Sequence, residues 1–473
     1  MPVSRLSLTL FLFLATLLLA WIVHGTGVVK NDLERNIYIP DQLTMTLQVK
    51  AAYNAEEIFF RYRWPAQQPS IYHDMLVYRG GQWQRIGKSP VGHQPQGIYE
   101  DRVTMLVDDG SVPEFDKYGG YVTVGNNMRF FTNEASKEAV QAHPYLGQKK
   151  GKHEVRKFLP ETRTDPADWA AVVSEPELAA LRDAGYFLDF WHWRAHRSNP
   201  LNQSDDQFVA EYRYGDEGQG VYTTNWDAEK SQPKWMFDPD KAGIYALNWS
   251  DLAERKLGFD DVYYLHEGTA IAFDPNRAWQ EGDTLPRRLL RPGSGSHADI
   301  RVSGQGRWQD GYWDVTLQRA LDTGHPLDDK AFEHKRKYWV GFAVHRDASG
   351  GRWHYVSLPV TVGLERDARL RAVRFDDAQP QWQQDWFEIT LFYPGQVGWP
   401  LLNSEAHAGA GHIAKGVPVR ARHIPEQLAH YGVEMEFTGA IIQHWLWSLI
   451  AGVLLIVGFG VALMHLLRAR PGR

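Results

Sequence analysis

The chain of 473 residues contains no cysteine. Disulfides, thiolate zinc sites, cysteine-ligated iron–sulfur clusters and a haem attached covalently through a Cys-x-x-Cys-His motif are therefore excluded. Any metal bound by the protein must be held by nitrogen, by oxygen or by the sulfur of one of the 8 methionines.

Long runs of basic residues are also missing from the middle of the chain, and the formal net charge is −6. A protein that binds a phosphate backbone needs a basic surface, so we expect no nucleic-acid partner. The 43% hydrophobic and 23% charged content is instead close to that of an ordinary folded domain.

Aromatic residues and histidines are abundant by contrast, with 19 Trp, 21 Tyr, 21 Phe and 19 His. Two explanations are open at this point. The rings either form walls around a large flat ligand or pack as the Trp-rich strands of a β-sandwich.

An apolar segment stands near each end of the chain. Residues 6–23, preceded by Arg5, fit either a signal peptide or an uncleaved anchor, and the lack of a small-x-small cleavage pattern favours the anchor. Residues 445–467 carry no charge and precede Arg468, Arg470 and Arg473, which is typical of a spanning helix. The positive-inside rule then predicts both termini in the cytoplasm and the main domain across the inner membrane, in the periplasm of a bacterium.

Period-two alternation of apolar and polar residues predicts strands between these segments. Gly80 and Gly81 supply the positive φ values of a tight hairpin turn within 75–83. Because helical patterns are scarce, the sequence predicts a mainly β protein, an antiparallel β-sandwich flanked by two transmembrane helices. The strands are expected at 43–51, 58–64, 313–317, 338–344, 354–360 and 386–393.

The predicted domain organisation follows from these patterns and from a helical composition between 133 and 185, interpreted as an insertion on the sheet. It consists of an N-terminal anchor or signal at 1–29, a β-sandwich at 30–365 with the helical insertion at about 133–185, a final strand and linker at 366–438, a transmembrane helix at 439–467 and a basic cytoplasmic tail at 468–473.

Several separated motifs occur in one order along residues 40–362. They are YEDRV at 99–103, FWHWRAHRSNP at 190–200, WDVTLQRAL at 313–321, and GFAVH at 341–345 followed by RWHYVS at 352–357. On these motifs the chain resembles the ethylbenzene-dehydrogenase-related family of haem-binding domains, which includes the haem-b γ subunits of molybdenum dehydrogenases and their cytochrome relatives.

The resemblance implies a β-sandwich that buries one haem and transfers single electrons, usually with a Met and a Lys or His as axial ligands. Since cysteine is absent, the haem expected here is a non-covalent haem b. The implied partners are the membrane and a redox partner or the subunits of a molybdenum enzyme. The chain is then an electron-transfer protein or subunit rather than a catalyst in its own right.

Met128 and His354 are the candidate axial ligands of the haem iron. Met128 follows a Gly/Asn-rich stretch where the family places a ligand, and its alternative role is packing under the helical insertion. His354 shares a strand face with Val356, so its ring is expected to point into the sandwich, either as a ligand or as a hydrogen-bonded core residue. Alternation predicts that His345 is exposed.

His192 and His196 are spaced i, i+4, which suits either a metal pair or two rings that brace the core. Arg194 and Arg197 in the same motif are expected to pair with acids or with haem propionates. His73 is an alternative axial ligand or an ordinary strand residue. A further alternative places a haem between the two membrane helices, held by His24 and His444.

Three functions compete on this sequence. The first is electron transfer by a membrane-anchored haem-b protein. The second is a haemless β-sandwich that binds a carbohydrate or another small ligand. The third is a hydrolase, which the absence of Gly-x-Ser-x-Gly and His-Glu-x-x-His motifs disfavours.

Overall fold

A computed structural model describes residues 5–25, 44–87, 98–124, 132, 135–346, 354–377, 379–392 and 433–468. The chain divides into two units, one of residues 1–40 with 424–473 and one of residues 41–423. The first unit contains the two long helices, and the second contains all the described strands. Each unit is described by itself.

The strands, numbered in chain order, are β1 (Thr44–Tyr53), β2 (Glu57–Pro65), β3 (Met75–Arg79), β4 (Gln82–Ile86), β5 (Arg102–Asp108), β6 (Leu188–Arg194), β7 (Asp205–Val209), β8 (Arg213–Gly215), β9 (Tyr222–Thr224), β10 (Trp226–Asp227), β11 (Gln232–Pro233), β12 (Trp235–Phe237), β13 (Leu247–Asn248), β14 (Leu265–His266), β15 (Ala270–Ala272), β16 (Asp283–Pro286), β17 (Arg288–Leu290), β18 (Arg301–Val302), β19 (Arg307–Gln309), β20 (Tyr312–Ala320), β21 (Lys337–His345), β22 (Tyr355–Ser357), β23 (Val360–Leu364), β24 (Leu370–Arg374) and β25 (Phe387–Phe392).

The α-helices are α1 (Arg5–Gly25), α2 (Phe115–Tyr118), α3 (Lys137–Ala142), α4 (Glu175–Asp183), α5 (Pro239–Ala242), α6 (Trp249–Ala253) and α7 (Val433–Arg468). Single turns of 3-10 helix occupy Gly119–Val122, Pro160–Thr162, Asn199–Leu201, Glu267–Thr269 and Gly295–Ala298, and Pro144–Lys149 forms a π-helical turn. The segment predicted as a helical insertion therefore contains α3, the π-helical turn and α4. Helix α4 begins where Ser174 and Glu177 form a capping box.

One large sheet dominates the second unit. Among the described residues it has 14 strands, in the order β18-β20-β2-β1-β24-β23-β21-β5-β6-β7-β8, with β19, β22 and β25 attached beside this path. Its pairs are antiparallel except where β24 lies parallel to β1 and to β23. The prediction of a mainly β, antiparallel fold is confirmed. The hairpin β3–β4 also turns at Gly80 and Gly81, which both have positive φ, as predicted.

The core lies where two parts of this large sheet face each other. Rings from β2 contact rings from β6 and β21, with centroid distances of 5.6 Å for Phe60–Trp191, 5.8 Å for Trp64–Trp193 and 6.1 Å for Tyr62–Phe342. Trp313 of β20 joins this layer, and its indole Nε1 donates to Asp101 Oδ2 at 2.7 Å. Much of the high aromatic content is therefore used in packing the sandwich.

A buried charged cluster closes one end of the core. Arg319 of β20 is 1% exposed and donates to Asp189 Oδ2 at 2.8 Å and to Asp329 Oδ1 at 2.6 Å, while Asp206 Oδ2 lies 3.6 Å away. Asp216 adds a further buried carboxyl group. Because burial disfavours negative charge and the carboxyl groups outnumber the guanidinium, the pKa of Asp206 is raised well above its usual value, first by burial and then by Asp216.

The first unit contains α1 and α7, which contact each other. Within the described residues, α7 alone is long and apolar enough to cross a bilayer, over Trp445–Leu466, while α1 contains the shorter apolar stretch Leu10–Leu19. The second membrane span predicted at the N-terminus stays a prediction. The side chains of His24 and His444 lie outside the described residues.

Trp313→Ala is expected to lower the free energy of unfolding by about 3–5 kcal/mol, because it removes a fully buried indole and leaves a cavity. Tyr312→Ala on the same strand removes a ring that is 36% exposed and should cost about 1 kcal/mol or less. Urea unfolding of the full chain in detergent, followed by far-UV circular dichroism, measures both. Equal losses for the two variants would contradict this packing.

Asp206→Asn is expected to stabilise the protein increasingly as the pH rises from about 5 to about 8. The folded wild type keeps a proton on Asp206 that the unfolded chain releases above pH 3.9 or so, so its stability falls as the pH rises, whereas Asn needs no proton. Asp189→Asn, which breaks the ion pair with Arg319, should instead cost about 3–5 kcal/mol. Melting temperatures across this pH range test both; a gap between Asp206→Asn and wild type that shrinks with rising pH would refute the assignment.

Candidate functional site

A second buried face lies on the side of the sheet opposite the core. Strand register places alternate residues of neighbouring strands on it, since Thr104 pairs with His192 and Ala343 pairs with both Thr104 and Val356. Strands β5 and β6 are consequently buried on both faces along their whole length. In an ordinary two-layer sandwich this outer face is exposed to water.

The segments that cover this outer face leave a cavity of about 380 Å³ against it. The cover comes from the Gly119–Val122 turn and from the connector 154–157 in front of the Pro160–Thr162 turn. Gly120 allows the close approach, since a Cβ atom there would lie 3.3 Å from the Leu106 side chain. The lining comprises Tyr99, Arg102, Thr104, Leu106, Gly120, Glu154, Val155, Arg156, Lys157, Phe190, His192, Arg213, Gly341, Phe342, Ala343, His345, His354 and Val356.

Three histidine rings form one wall of the cavity. The rings of His345 and His354 are nearly parallel with centroids 4.7 Å apart, and the ring of His192 lies 6.5 Å from that of His345. Burial lowers the pKa of His192 and of His345 well below the usual value, with further contributions from Arg194 and from His354 respectively. These two imidazoles are therefore neutral at physiological pH.

The prediction that His345 is exposed is wrong, because the covering segments bury it to 7% exposure. His354 also lines the cavity on the outer face of the sheet, rather than pointing into the core between the layers as predicted. Alternation along a strand separates two faces but does not reveal that both are covered. The signal that was missed is the small residues Gly341 and Ala343 on this face, which leave space above the sheet.

Four cationic side chains line the cavity with these histidines, namely Arg102, Arg156, Lys157 and Arg213. Arg156 is paired with Glu154 at 2.6 Å. Desolvation, followed by the charge of Arg213, lowers the pKa of Lys157 to about 7, so this amine loses its proton easily. The cavity thus combines neutral nitrogen donors, apolar walls and positive charge.

Arg194 lies under the histidine wall rather than in the cavity lining. Its guanidinium forms an ion pair with Asp205, and its Nη2 donates to His192 Nδ1 at 2.9 Å. The other carboxylate oxygen of Asp205 lies 2.9 Å from His297 Nε2. Nearby, Tyr222 has its pKa lowered to about 7, because Arg194, Arg197 and Arg288 together outweigh the effect of burial.

The remaining site residues predicted from the sequence surround Glu100, which is fully buried. Glu100 accepts from the side chain of Arg197 and from the backbone N–H groups of His196 and Arg197 at 2.8 Å each. His196 Nδ1 bonds to the carbonyl oxygen of Ile71 at 2.8 Å, and His73 Nδ1 lies 3.6 Å from Glu100 Oε1. None of these described side chains is among those lining the histidine cavity.

His192 and His196 therefore do not form a metal pair, because they belong to separate clusters. Of the two alternatives that the spacing left open, the metal pair is not supported, since β6 ends at Arg194 and the ring of His196 then contacts the carbonyl oxygen of Ile71. Met128 lies outside the described residues, and its role as a ligand stays a prediction.

A single tetrahedral metal ion among the three cavity histidines is not favoured by their arrangement. Among the described residues, the groups whose three ligand atoms approach within 4.8 Å of one another are Asp299–His325–Asp329 and Asp189–Asp206–Asp329. Neither includes a cavity histidine. The three rings are therefore arranged for separate contacts with a larger cofactor and not for binding one shared ion.

This fold and cavity define a mainly β protein with a cofactor-sized site on the outer face of its large sheet. The family model described as ethylbenzene dehydrogenase matches residues 21–357, which is more than half of the chain and includes every residue of the cavity lining. The chain therefore belongs to this family, and the resemblance seen in the sequence motifs is confirmed. A search of curated proteins found no match.

Glu100→Gln is expected to destabilise the protein by about 3–5 kcal/mol at neutral pH, because it leaves buried guanidinium groups without their anion. Burial alone would raise the pKa of Glu100, but Arg197 and Arg102 lower it to about 2. The stability that the carboxylate provides is present above pH 4.5 and is lost as the pH falls towards 2, so the gap to wild type should narrow there.

The matched control is Glu154→Gln, since the Glu154 side chain is 47% exposed and should change stability by about 1 kcal/mol or less. Thermal unfolding of the full chain at several pH values measures both variants. If the two substitutions cost the same, Glu100 does not hold the cluster together.

Proposed function

We propose that the protein binds one non-covalent haem b in the histidine-lined cavity and transfers single electrons. The observation that supports this most directly is the wall of three histidine rings that covering segments bury against the outer face of the sheet. When bound, haem supplies a one-electron couple of its iron. The chain contributes the binding surface, the nitrogen donors and the exclusion of water.

The residues present fit such a group in three respects. The volume of about 380 Å³ falls within the range of 300–1,000 Å³ or so that is usual for cofactor sites. Leu106, Val155, Phe190 and Val356 supply apolar walls. The buried Nδ1 of His345 has no hydrogen-bond partner among the described residues, and the neutral state of that ring leaves a nitrogen lone pair for a metal.

Three cavity residues are alternative candidates for a nitrogen ligand of the iron. His345 and His354 offer imidazoles, and Lys157 offers an amine with its pKa lowered to about 7. Met128 remains the proposed sulfur ligand on sequence grounds alone. Arg197 is not proposed as a cofactor-binding residue, because Glu100 holds its guanidinium, and His73 and His196 are not among the residues that line this cavity.

The proposed location is the inner membrane, with α7 as the anchor and the cavity on the periplasmic side. The support is the apolar stretch Trp445–Leu466, followed by arginines at 468, 470 and 473, which the positive-inside rule places in the cytoplasm. The N-terminal apolar segment supports the same location, because either a second anchor or a signal peptide would bring the main domain to the periplasm. Membership of the ethylbenzene dehydrogenase family favours a role as a subunit of an oxidoreductase complex. The proposed partner in that complex is a molybdenum enzyme.

The second candidate is a haemless module that binds a small ligand. The cations around the cavity favour this alternative, because Arg102, Arg156, Lys157 and Arg213 would attract an organic anion whether or not a porphyrin is present. A carbohydrate is less favoured, since neutral sugars gain little from four positive charges.

The test is an optical spectrum of the full chain, expressed for export in cells supplied with haem and purified in detergent. We expect a sharp absorption spectrum that changes on reduction with dithionite, and lower haem content in His345→Ala, His354→Ala and Met128→Ala. His325→Ala, which changes an imidazole that is 42% exposed and outside this cavity, is the control and should keep full haem content.

A folded protein that stays colourless after reconstitution with haem would overturn the haem proposal and leave the small-anion module. Unchanged spectra in both His345→Ala and His354→Ala would show that haem binds elsewhere.

A further inference from the structure

The cavity lining includes hydrogen-bond donors that have no acceptor among the residues that the structure describes. Arg102 is 5% exposed, yet its Nε and Nη2 have no hydrogen-bond partner within the described part of the chain, and the same holds for the Nε2 of His192, which is 2% exposed. Arg213, on β8, has an Nε without a partner among the described residues as well. Buried donors without acceptors are costly, so several around one cavity indicate a missing anionic or oxygen-bearing group.

The tautomer of His192 decides whether its ring is a metal ligand or a donor. A guanidinium can only donate hydrogen bonds, so the contact of 2.9 Å from Arg194 Nη2 requires His192 Nδ1 to accept. In a neutral ring the proton must then be on Nε2. Gln207 Oε1 lies 3.2 Å from the same Nδ1, and because both atoms are acceptors in this tautomer they form no hydrogen bond with each other.

Arg194 is itself held in place, which fixes this tautomer. Its guanidinium pairs with buried Asp205, and its backbone N–H donates to Ser198 Oγ at 3.0 Å. The Nε2–H of His192 is consequently a fixed donor. An imidazole in this state offers no lone pair at Nε2 to iron, which separates His192 from the other two cavity histidines.

The charges around these donors are incompletely balanced. Glu100 Oε1 lies 3.6 Å from Arg102 Nε, beyond hydrogen-bond range, and already accepts from Arg197. Glu154 faces the cavity, but it pairs with Arg156. The lowered pKa of Arg213, to about 10, results from burial and then from repulsion by Arg156 and Arg102, which a bound anion would relieve.

We propose that Arg102, the Nε2–H of His192 and Arg213 form a carboxylate-binding subsite in the cavity. The shared ligand chemistry is an organic carboxylate, either a haem propionate or a free carboxylic acid. The first source rests on the haem function proposed above, whereas the second does not. His192 is thus a specificity-determining donor rather than an axial ligand.

The first experiment compares haem with haem dimethyl ester, in which both propionates are neutral. Quenching of tryptophan fluorescence in the full chain in detergent measures the affinity for each. We expect the wild type to prefer the diacid by about tenfold to a hundredfold, the size of one or two charge-assisted hydrogen bonds. Arg102→Met and Arg213→Met should remove most of this preference, and the exposed control Arg301→Met should keep it.

Two substitutions at His192 separate a donor from an iron ligand. His192→Gln places an amide NH₂ near the position of Nε2 and should retain the preference for the diacid, while His192→Leu should lose it with the iron spectrum unchanged. If both variants lose the ligand-field spectrum but still prefer the diacid, His192 is an axial ligand and the subsite is wrong. Circular dichroism checks the folding of each variant. If Arg102→Met does not fold, the preference for the diacid is measured in Arg213→Met, which changes a half-buried residue.

The second experiment distinguishes failure of this inference from failure of the haem function. If the protein takes up neither haem nor its ester, benzoate and uncharged methyl benzoate are added to the wild type and to Arg213→Met. A rise in melting temperature with benzoate alone, lost in the variant, supports the subsite with a free carboxylate as its ligand. Equal responses to acid and ester, for the porphyrins or for the benzoates, overturn the proposal.

Discussion

The buried carboxylate of Glu100 is the contact on which the geometry of the cavity depends. It stands two residues before the first residue of β5 and accepts from backbone N–H groups just after β6, so one side chain ties the ends of two adjacent strands together. It also binds Arg197 and lies near Arg102. With that carboxylate in place, the outer-face residues of the two strands, among them Arg102 of β5 and His192 of β6, keep fixed positions relative to one another.

The two faces of strand β6 lie in surroundings of opposite net charge. Towards the core, Asp189 belongs to a cluster in which carboxyl groups outnumber Arg319, and the balance there favours bound protons. Towards the cavity, His192 and Arg194 belong to a region where guanidinium groups outnumber carboxylates, and the balance favours a bound anion or a neutral base. The backbone of a single strand separates the two, which is possible because alternate side chains point to opposite faces.

Period-two patterning was sufficient to predict β1, β2, β20, β21 and the hairpin with Gly80 and Gly81, because those strands have one clear apolar face. It also singled out His354, while the spacing to His196 singled out His192, and the structure brings His192 and His354 to one cavity. It could not identify His345, since exposure on the outer face depends on segments more than 150 residues away in sequence, such as the connector at 154–157. Nor could spacing reveal that His73, His196 and Arg197 lie around Glu100, because a buried ion pair has no local sequence signature.

The three cavity histidines show why residue type alone does not define a cofactor ligand. In the sequence they are equivalent imidazoles, but the second nitrogen of each ring determines what the first can do. Arg194 fixes the Nδ1 of His192 as an acceptor and so makes its Nε2 a donor, whereas the Nδ1 of His345 has no hydrogen-bond partner in the part of the chain that the structure describes. A flat cofactor with both a metal and acidic groups needs both kinds of nitrogen in one cavity. The arginine two residues after His192, on the same face of β6, is therefore as important to the identity of the site as the histidines are.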